Sequence, residues 1–132
     1  MAEAARVEPV WVQIEVALAV HDRQLAEHGG GVGLRDAGLL ESALARPQNQ
    51  WAYGADDLCA LAAAYAFGIA RNHPFVDGNK RTAWVLARLF LALNAVTIVF
   101  DAADAIRTVL ALAAGELSED DLADWFRTHL NP

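Results

Sequence analysis

Apolar residues recur along this chain at the three- and four-residue spacing of one helical face, and polar or glycine-containing stretches interrupt them. The first run predicts a helix over about residues 9–28, which the glycines 29–31 end. Asp36 is placed to cap a second, shorter helix, and Pro47 is expected to stop it. Gln48–Gly54 is then predicted to be an irregular polar segment.

Two long apolar helices are predicted in the middle of the chain, with a polar loop between them. The first runs from about residue 56 to Asn72, because the residue before Pro74 is pushed out of the helical conformation. The second runs from about residue 79 to residue 94. Both fall short of the roughly 18 to 20 uncharged residues that span a bilayer, so they are predicted to be core helices.

The C-terminal third continues the helical pattern. Residues 97–101 form at most a short extended piece, and amphipathic helices follow over 102–114 and 119–129, with Gly115 between them and Ser118 as an N-cap. The sequence therefore predicts an all-α fold of about six helices. No linker or internal repeat divides the chain, so we expect one domain.

Composition narrows the class of function. The net charge of -7 and the pI near 4.9 argue against direct nucleic acid binding, which needs a basic surface. Cys59, the single cysteine, can form no internal disulfide and is expected to be a small buried side chain. No secretory signal is visible at the start, and a cytoplasmic location with no membrane partner is predicted.

The polar loop RNHPFVDGNKRTA, residues 71–83, carries the candidate chemistry. A loop that leads into a helix N-terminus exposes free N–H groups at the positive end of the helix dipole, and Gly78 permits close approach. Asn79 adds a donor, while Lys80 and Arg81 place positive charge where the dipole disfavours it. A bound phosphate would explain these cations.

Two further residues extend this site. Asp77 offers a hard oxygen ligand for Mg²⁺ shared with phosphates, and His73 can act as a general base near neutral pH. The alternative is structural: His73 caps the preceding helix, Asp77 closes a turn, and the cations are solvated. The combination at fixed spacing favours a functional site.

The other glycines and histidines are given structural roles. Gly29–Gly33 lacks the GxxxxGK[ST] spacing and the GxGxxG pattern, so it is predicted to be a helix stop and turn. His21, His28 and His129 have no paired-ligand spacing, and each is predicted to be a surface or capping histidine.

The loop also carries a family resemblance. The nine residues HPFVDGNKR, from His73 to Arg81, resemble the HxFx[D/E]GN-type loop of the Fic/Doc superfamily, and most of all that of the Doc (death-on-curing) toxins of toxin–antitoxin modules. Residues 16–49 resemble the Doc-type N-terminal half, and residues 55–94 resemble the Fic core. The resemblance implies a Fic/Doc-like bundle with a central helix–loop–helix and a short flap.

The resemblance implies a role for each loop residue. His73 would be the general base on a target hydroxyl, Asp77 the Mg²⁺ ligand, and Phe75 the anchor of the loop in the core. Asn79 and Arg81 would hold phosphate, with Gly78 and Lys80 completing the nucleotide site. The flap over the site would correspond to Gln48–Gly54, with Gln48, Asn49 and Tyr53 as its candidate residues.

Lys80 decides which reaction the resemblance implies. Nucleotidyl-transferring members have glycine at this position and arginine where Trp84 stands, whereas Doc-type members share the lysine and act as kinases. They move the γ-phosphate of ATP to a threonine of elongation factor Tu and so arrest translation. Gly78, where the best-known Doc loop has alanine, keeps AMP transfer to a protein hydroxyl as an alternative, and a non-catalytic antitoxin-binding module is a third.

The resemblance also implies a partner. Fic proteins that restrain themselves carry an inhibitory [S/T]xxxE[G/N] helix, which this sequence lacks. Inhibition of the toxin would therefore come from a Phd-like antitoxin, whose disordered C-terminal segment folds into a groove of the toxin. The acidic charge of this chain predicts compensating basic residues in that segment.

Overall fold

A computed structural model of the chain describes residues 6–132. Six helices follow one another: α1 (Ile14–His28), α2 (Ala37–Ala52), α3 (Leu58–Asn72), α4 (Asn79–Leu93), α5 (Ala102–Ala113) and α6 (Glu119–Thr128). Within the described residues, extended backbone pairs only as two isolated bridges, Leu34 with Phe75 and Ile98 with Leu130. The predicted all-α fold is confirmed.

Helix α3 lies at the centre of the bundle, because it is apolar on every side. Ten of its fifteen residues are buried, and it packs against α2, α4, α5 and α6. The hydroxyl of Tyr65 accepts a hydrogen bond from the N–H of Val12 at 3.0 Å, and burial raises the pKa of Tyr65 to about 12. Cys59 is buried and free, as predicted.

The predicted end of the second helix at Pro47 is wrong. Helix α2 continues through Pro47 to Ala52, although proline leaves the carbonyl four residues earlier, that of Ala43, without a helical N–H. Gly68 of α3 packs against Ala43 so closely that a Cβ on the glycine would lie 3.2 Å from this carbonyl oxygen. Pro47 is buried, and this close contact between α2 and α3 lies where the helical bond is missing. The irregular segment predicted over Gln48–Gly54 is therefore helical as far as Ala52.

Helix α1 begins later than predicted, at Ile14 instead of residue 9. The chain before it is extended because the side-chain amide of Asn94 holds the backbone of Val10. The N–H of Val10 donates to Asn94 Oδ1 at 2.8 Å, and Asn94 Nδ2 donates to the carbonyl of Val10 at 3.0 Å. This long-range pairing replaces the first helical turn.

The remaining helices agree with the sequence to within about two residues. Asp57 caps α3 and Ser118 caps α6 through their side chains, while Ile98 forms the short extended piece expected before α5. In the described part of the chain, no helix combines the length and apolar character that crossing a bilayer requires.

Candidate active site

The loop between α3 and α4 begins at a strained residue. His73 ends α3 in the left-handed conformation (φ 50°, ψ 56°), and its N–H donates to the carbonyl of Ile69 at 3.2 Å. Residues with a Cβ seldom adopt this conformation, so the surrounding structure has to hold it. The conformation turns the chain sharply at this point, and the imidazole is exposed.

Phe75 and Asn79 close the loop on itself. Phe75 is buried, as its predicted role as an anchor requires. Its N–H donates to Asn79 Oδ1 at 3.0 Å, and Asn79 Nδ2 donates to its carbonyl at 2.9 Å. Both polar atoms of the Asn79 side chain are therefore hydrogen-bonded to the loop backbone. Asn79 can bind an anion through its main-chain N–H.

Asp77 carries an ionised carboxylate next to the start of α4. Its Oδ1 accepts the N–H of Gly78 at 2.8 Å, and its Oδ2 accepts the N–H of Gly31 at 3.3 Å. These two bonds, the one from Gly78 above all, lower the pKa of Asp77 below its ordinary value, and the charge of Arg81 adds to the effect. The side chain is exposed, so free lone pairs face solvent.

The N-terminus of α4 differs from those of most other helices here. Gly78 is its N-cap, in the left-handed conformation (φ 77°), and no side-chain hydrogen bond caps the helix in the described structure. Side chains do cap α2, α3, α5 and α6. Lys80 and Arg81, both exposed, lie in the uncapped first turn. Free N–H groups, the helix dipole and two cations together form a candidate anion site.

One cleft collects these groups. It has a volume of about 340 Å³, and its lining comprises His73, Val76, Asp77, Gly78, Asn79, Lys80 and Arg81. No group of three or more His, Cys, Asp or Glu side chains in the described residues could form a metal cage. A single carboxylate beside an anion site fits Mg²⁺, which keeps several waters and shares the phosphates of a nucleotide.

The predicted flap residues lie elsewhere. Gln48 and Asn49 are exposed residues of α2, and Tyr53 follows its last residue with 93% of its surface exposed. Asn49 and Tyr53 line a separate cavity of about 510 Å³ between α2 and α3, together with Asn72. Asn72, the residue before His73, therefore lines this cavity. Gln48, Asn49 and Tyr53 do not line the loop cleft.

His21 is a site residue that the sequence analysis missed, and its predicted surface position is wrong. It is only 3% exposed, and its ring stacks on Phe75 with centroids 3.7 Å apart. Its Nε2 lies 2.7 Å from the carbonyl oxygen of Asp77; because a carbonyl only accepts, this nitrogen carries the proton. Ala17 and Leu25, four residues away on either side, are buried too, and that spacing was a usable signal.

Arg35 was also missed. Its Nε donates to the carbonyl of His73 at 2.7 Å, and a second guanidinium nitrogen donates to the carbonyl of Asn72 at 2.8 Å. The main-chain N–H groups of Arg35 and Asp36 both donate to the carbonyl of Pro74. The connection between α1 and α2 thus supports the loop, beyond the helix stop and turn predicted for it.

Gly30 offers a test of the Asp77 position. A Cβ at residue 30, where φ is +127°, would lie 2.7 Å from Asp77 Oδ2, so Gly30→Ala should displace the carboxylate. We expect the affinity for Mg²⁺ and ATP, measured by calorimetry, to fall about 10- to 100-fold. Gly54→Ala is the matched control, because φ is +111° there and nothing lies within 4 Å of its Cβ position. Equal affinities in the two variants would contradict this placement.

A helical bundle whose central helix–loop–helix presents a histidine, a carboxylate and an uncapped helix N-terminus belongs to the class of proteins with a candidate phosphate-binding site at a helix N-terminus. Residues 11–91, more than half of the chain, match the model of the Fic/DOC family. The chain belongs to this family.

Curated relatives agree with the family match. The chain is 39% identical over 114 residues to the protein kinase doc of Escherichia phage P1, an alignment that covers 86% of this chain and 90% of that protein. It is 50% identical over 76 residues to the toxin Doc of Mycolicibacterium smegmatis, covering 55% of this chain and 58% of that protein.

Proposed function

We propose that this protein is a kinase that transfers the γ-phosphate of ATP to a hydroxyl of another protein. The observation that carries the proposal is the single cleft in which His73, Asp77, Lys80 and Arg81 surround the uncapped N-terminus of α4. The relative from phage P1, which is named a protein kinase, supports it.

The geometry suggests a division of work among the loop residues. The first-turn N–H groups of α4, with Lys80 and Arg81, bind the terminal phosphates. Asp77 would hold Mg²⁺, which when bound neutralises phosphate charge. His73 accepts the proton of the target hydroxyl while the hydroxyl oxygen forms a bond to the γ-phosphorus of ATP. The bond between that phosphorus and the oxygen that bridges it to the β-phosphate breaks, and ADP leaves.

Lys80 is the basis for choosing phosphate transfer over AMP transfer. It is the only lysine of the chain, and it lines the loop cleft next to Asn79. A flexible ammonium group in the anion site fills the room that an α-phosphate would need, and it attracts the more highly charged end of the nucleotide. ATP would then bind with its terminal phosphates at the loop.

Labelled ATP tests both the reaction and its target. We propose a translation factor as the target, elongation factor Tu, in keeping with the relative named as a toxin. Incubation with ATP and this factor should transfer label from the γ position and none from the α position. Lys80→Gly should slow the transfer roughly 10- to 100-fold. Transfer of α-label would instead establish AMP transfer, and label on neither would rule out this target.

A groove between α4 and α5 is the proposed binding surface for a Phd-like antitoxin. It has a volume of about 340 Å³, and its lining includes Trp84, Phe100, Ala105, Ile106, Val109 and Leu110, with Lys80, Arg81 and Arg88 among them. Three of the ten basic residues of an acidic chain thus line one apolar groove. These basic side chains favour an amphipathic antitoxin segment with acidic residues. The sequence-based expectation was the opposite, a segment with basic residues.

Ile106→Asp tests this surface. Ile106 is 61% exposed, so the change should leave the fold intact while it introduces a charge that repels an acidic segment. We expect the antitoxin to bind at least about tenfold more weakly by calorimetry. Val7→Asp, at a residue that is 87% exposed and outside the groove, is the control. Unchanged binding to Ile106→Asp would contradict the assignment.

A further inference from the structure

The loop is held from outside at both ends, and by two different residues. Arg35 donates to the carbonyl of His73 at one end, and His21 donates to the carbonyl of Asp77 at the other. We propose that these are positioning residues with separate tasks: Arg35 orients the general base, and His21 orients the metal and phosphate end. This inference rests on the proposed kinase function.

Arg35 stabilises the conformation that aims His73. The last carbonyls of a helix have no partner within the helix, and two of them at the end of α3, those of Asn72 and His73, accept from the planar guanidinium. A rigid fork of donors suits two adjacent acceptors. Because His73 is left-handed, releasing its carbonyl would let the backbone relax towards an ordinary conformation and turn the imidazole away.

His21 acts on the opposite end of the loop through two contacts. Its ring lies parallel to that of Phe75, with an interplanar angle of 6°, and its Nε2–H donates to the carbonyl of Asp77. The ring also lies beneath Gly78, whose Cβ position would be 3.7 Å from it. His21 therefore fixes the backbone on which both the Asp77 carboxylate and the first turn of α4 depend.

The two contacts lie at different ends of the loop, so their effects on function should separate. A residue that only stabilises the fold would lower the melting temperature and leave turnover and binding of the folded protein unchanged. A positioning residue for the base lowers kcat, whereas a positioning residue for the phosphate end weakens nucleotide binding. This split is the property that distinguishes the proposal from a structural role.

Arg35→Gln tests the first half. We expect kcat to fall about 100-fold, with calorimetric affinity for Mg²⁺ and ATP unchanged. Arg35→Lys, which keeps one donor, should recover part of the rate. Arg23→Gln is the control, because Arg23 is an exposed arginine of the preceding helix that, among the residues the structure describes, pairs with Glu27 alone. A normal kcat in Arg35→Gln, or a loss of binding equal to the loss of kcat, would overturn the assignment.

His21→Phe tests the second half, since phenylalanine keeps the stacking on Phe75 and removes the donor to Asp77. We expect affinity for Mg²⁺ and ATP to weaken about 10- to 100-fold, with partial recovery in His21→Gln, which keeps a donor. His28→Gln, at an exposed position of the same helix, is the control. Parent-like binding by folded His21→Phe would overturn the proposal.

Nuclear magnetic resonance of the unaltered protein tests the role of His21 even if the variants fail to fold. The proposal requires His21 to be protonated on Nε2 with a slowly exchanging ring proton; a fast-exchanging proton there would contradict it. It also requires the His73 ring signals to shift in Arg35→Gln and stay in place in Arg23→Gln. If the parent binds ATP and transfers no phosphate, the proposed function fails, while the binding and resonance measurements still decide this inference.

Discussion

Replacing His73 with alanine should lower the rate of phosphate transfer by about 100- to 10,000-fold, the usual contribution of a general base. The change removes the imidazole that lies in the cleft with Asp77 and Lys80. It leaves the anion site intact, so the affinity for Mg²⁺ and ATP should stay near that of the parent. Single-turnover kinetics and calorimetry measure the two quantities separately.

The control for this variant is His28→Ala, because His28 is an exposed histidine at the end of α1 and does not line the loop cleft. It should transfer phosphate at the parental rate. If His73→Ala kept the full rate as well, the imidazole would have no part in the chemistry, and another group would have to accept the proton of the target hydroxyl.

Replacing Asp77 with asparagine should lower the rate of transfer by about 100- to 1,000-fold through the loss of one preorganised charge. Asparagine has nearly the same shape, and its amide oxygen can still accept the N–H of Gly78. The amide nitrogen cannot accept the N–H of Gly31, so the loop should keep its conformation with the loss of that longer, 3.3 Å bond. Calorimetry should show weaker Mg²⁺ binding, and excess Mg²⁺ should recover part of the rate. Asp56→Asn, an exposed acid outside the cleft, should behave as the parent does.

The hydrogen bonds to Asp77 also set an expected pH dependence. Because the N–H groups of Gly78 and Gly31 lower the pKa of this carboxyl, it is ionised at any pH above the ordinary pKa of an aspartate. Acidification to about pH 5 should therefore leave Mg²⁺ binding by the Asp77 carboxylate intact. Loss of Mg²⁺ affinity between pH 7 and pH 5, measured by calorimetry, would show that another group controls binding.

The central helices and the loop were predictable because their signals are local. Helix α3 is apolar on every side and ends where Pro74 requires, and α4 starts at Asn79, after the Gly78 N-cap, with two cations in its first turn. The residues that stabilise the loop were not predictable in this way. His21 and Arg35 reach it across 56 and 38 residues of sequence, and no local spacing shows which distant carbonyl a side chain will meet.

Two other differences have the same physical origin. Helix α2 includes Pro47, and at the carbonyl that the proline leaves without a helical partner Gly68 of α3 packs against Ala43, a contact between helices that no proline rule includes. Asn79 has the chemistry of a phosphate ligand, but its amide bonds to the main chain of Phe75. Residue type indicated what Asn79 could bind, and only the fold shows which partner it has.

The central claim is that the end of a polyphosphate chain binds at the N-terminus of α4, beside Lys80. Because Lys80 is the only lysine of the chain, an amine-directed reagent followed by peptide mapping reports on this single side chain. In the presence of Mg²⁺, ATP should protect Lys80 from modification strongly, ADP less, and AMP hardly at all. Equal protection by AMP and ATP, or no protection by any of them, would contradict the account.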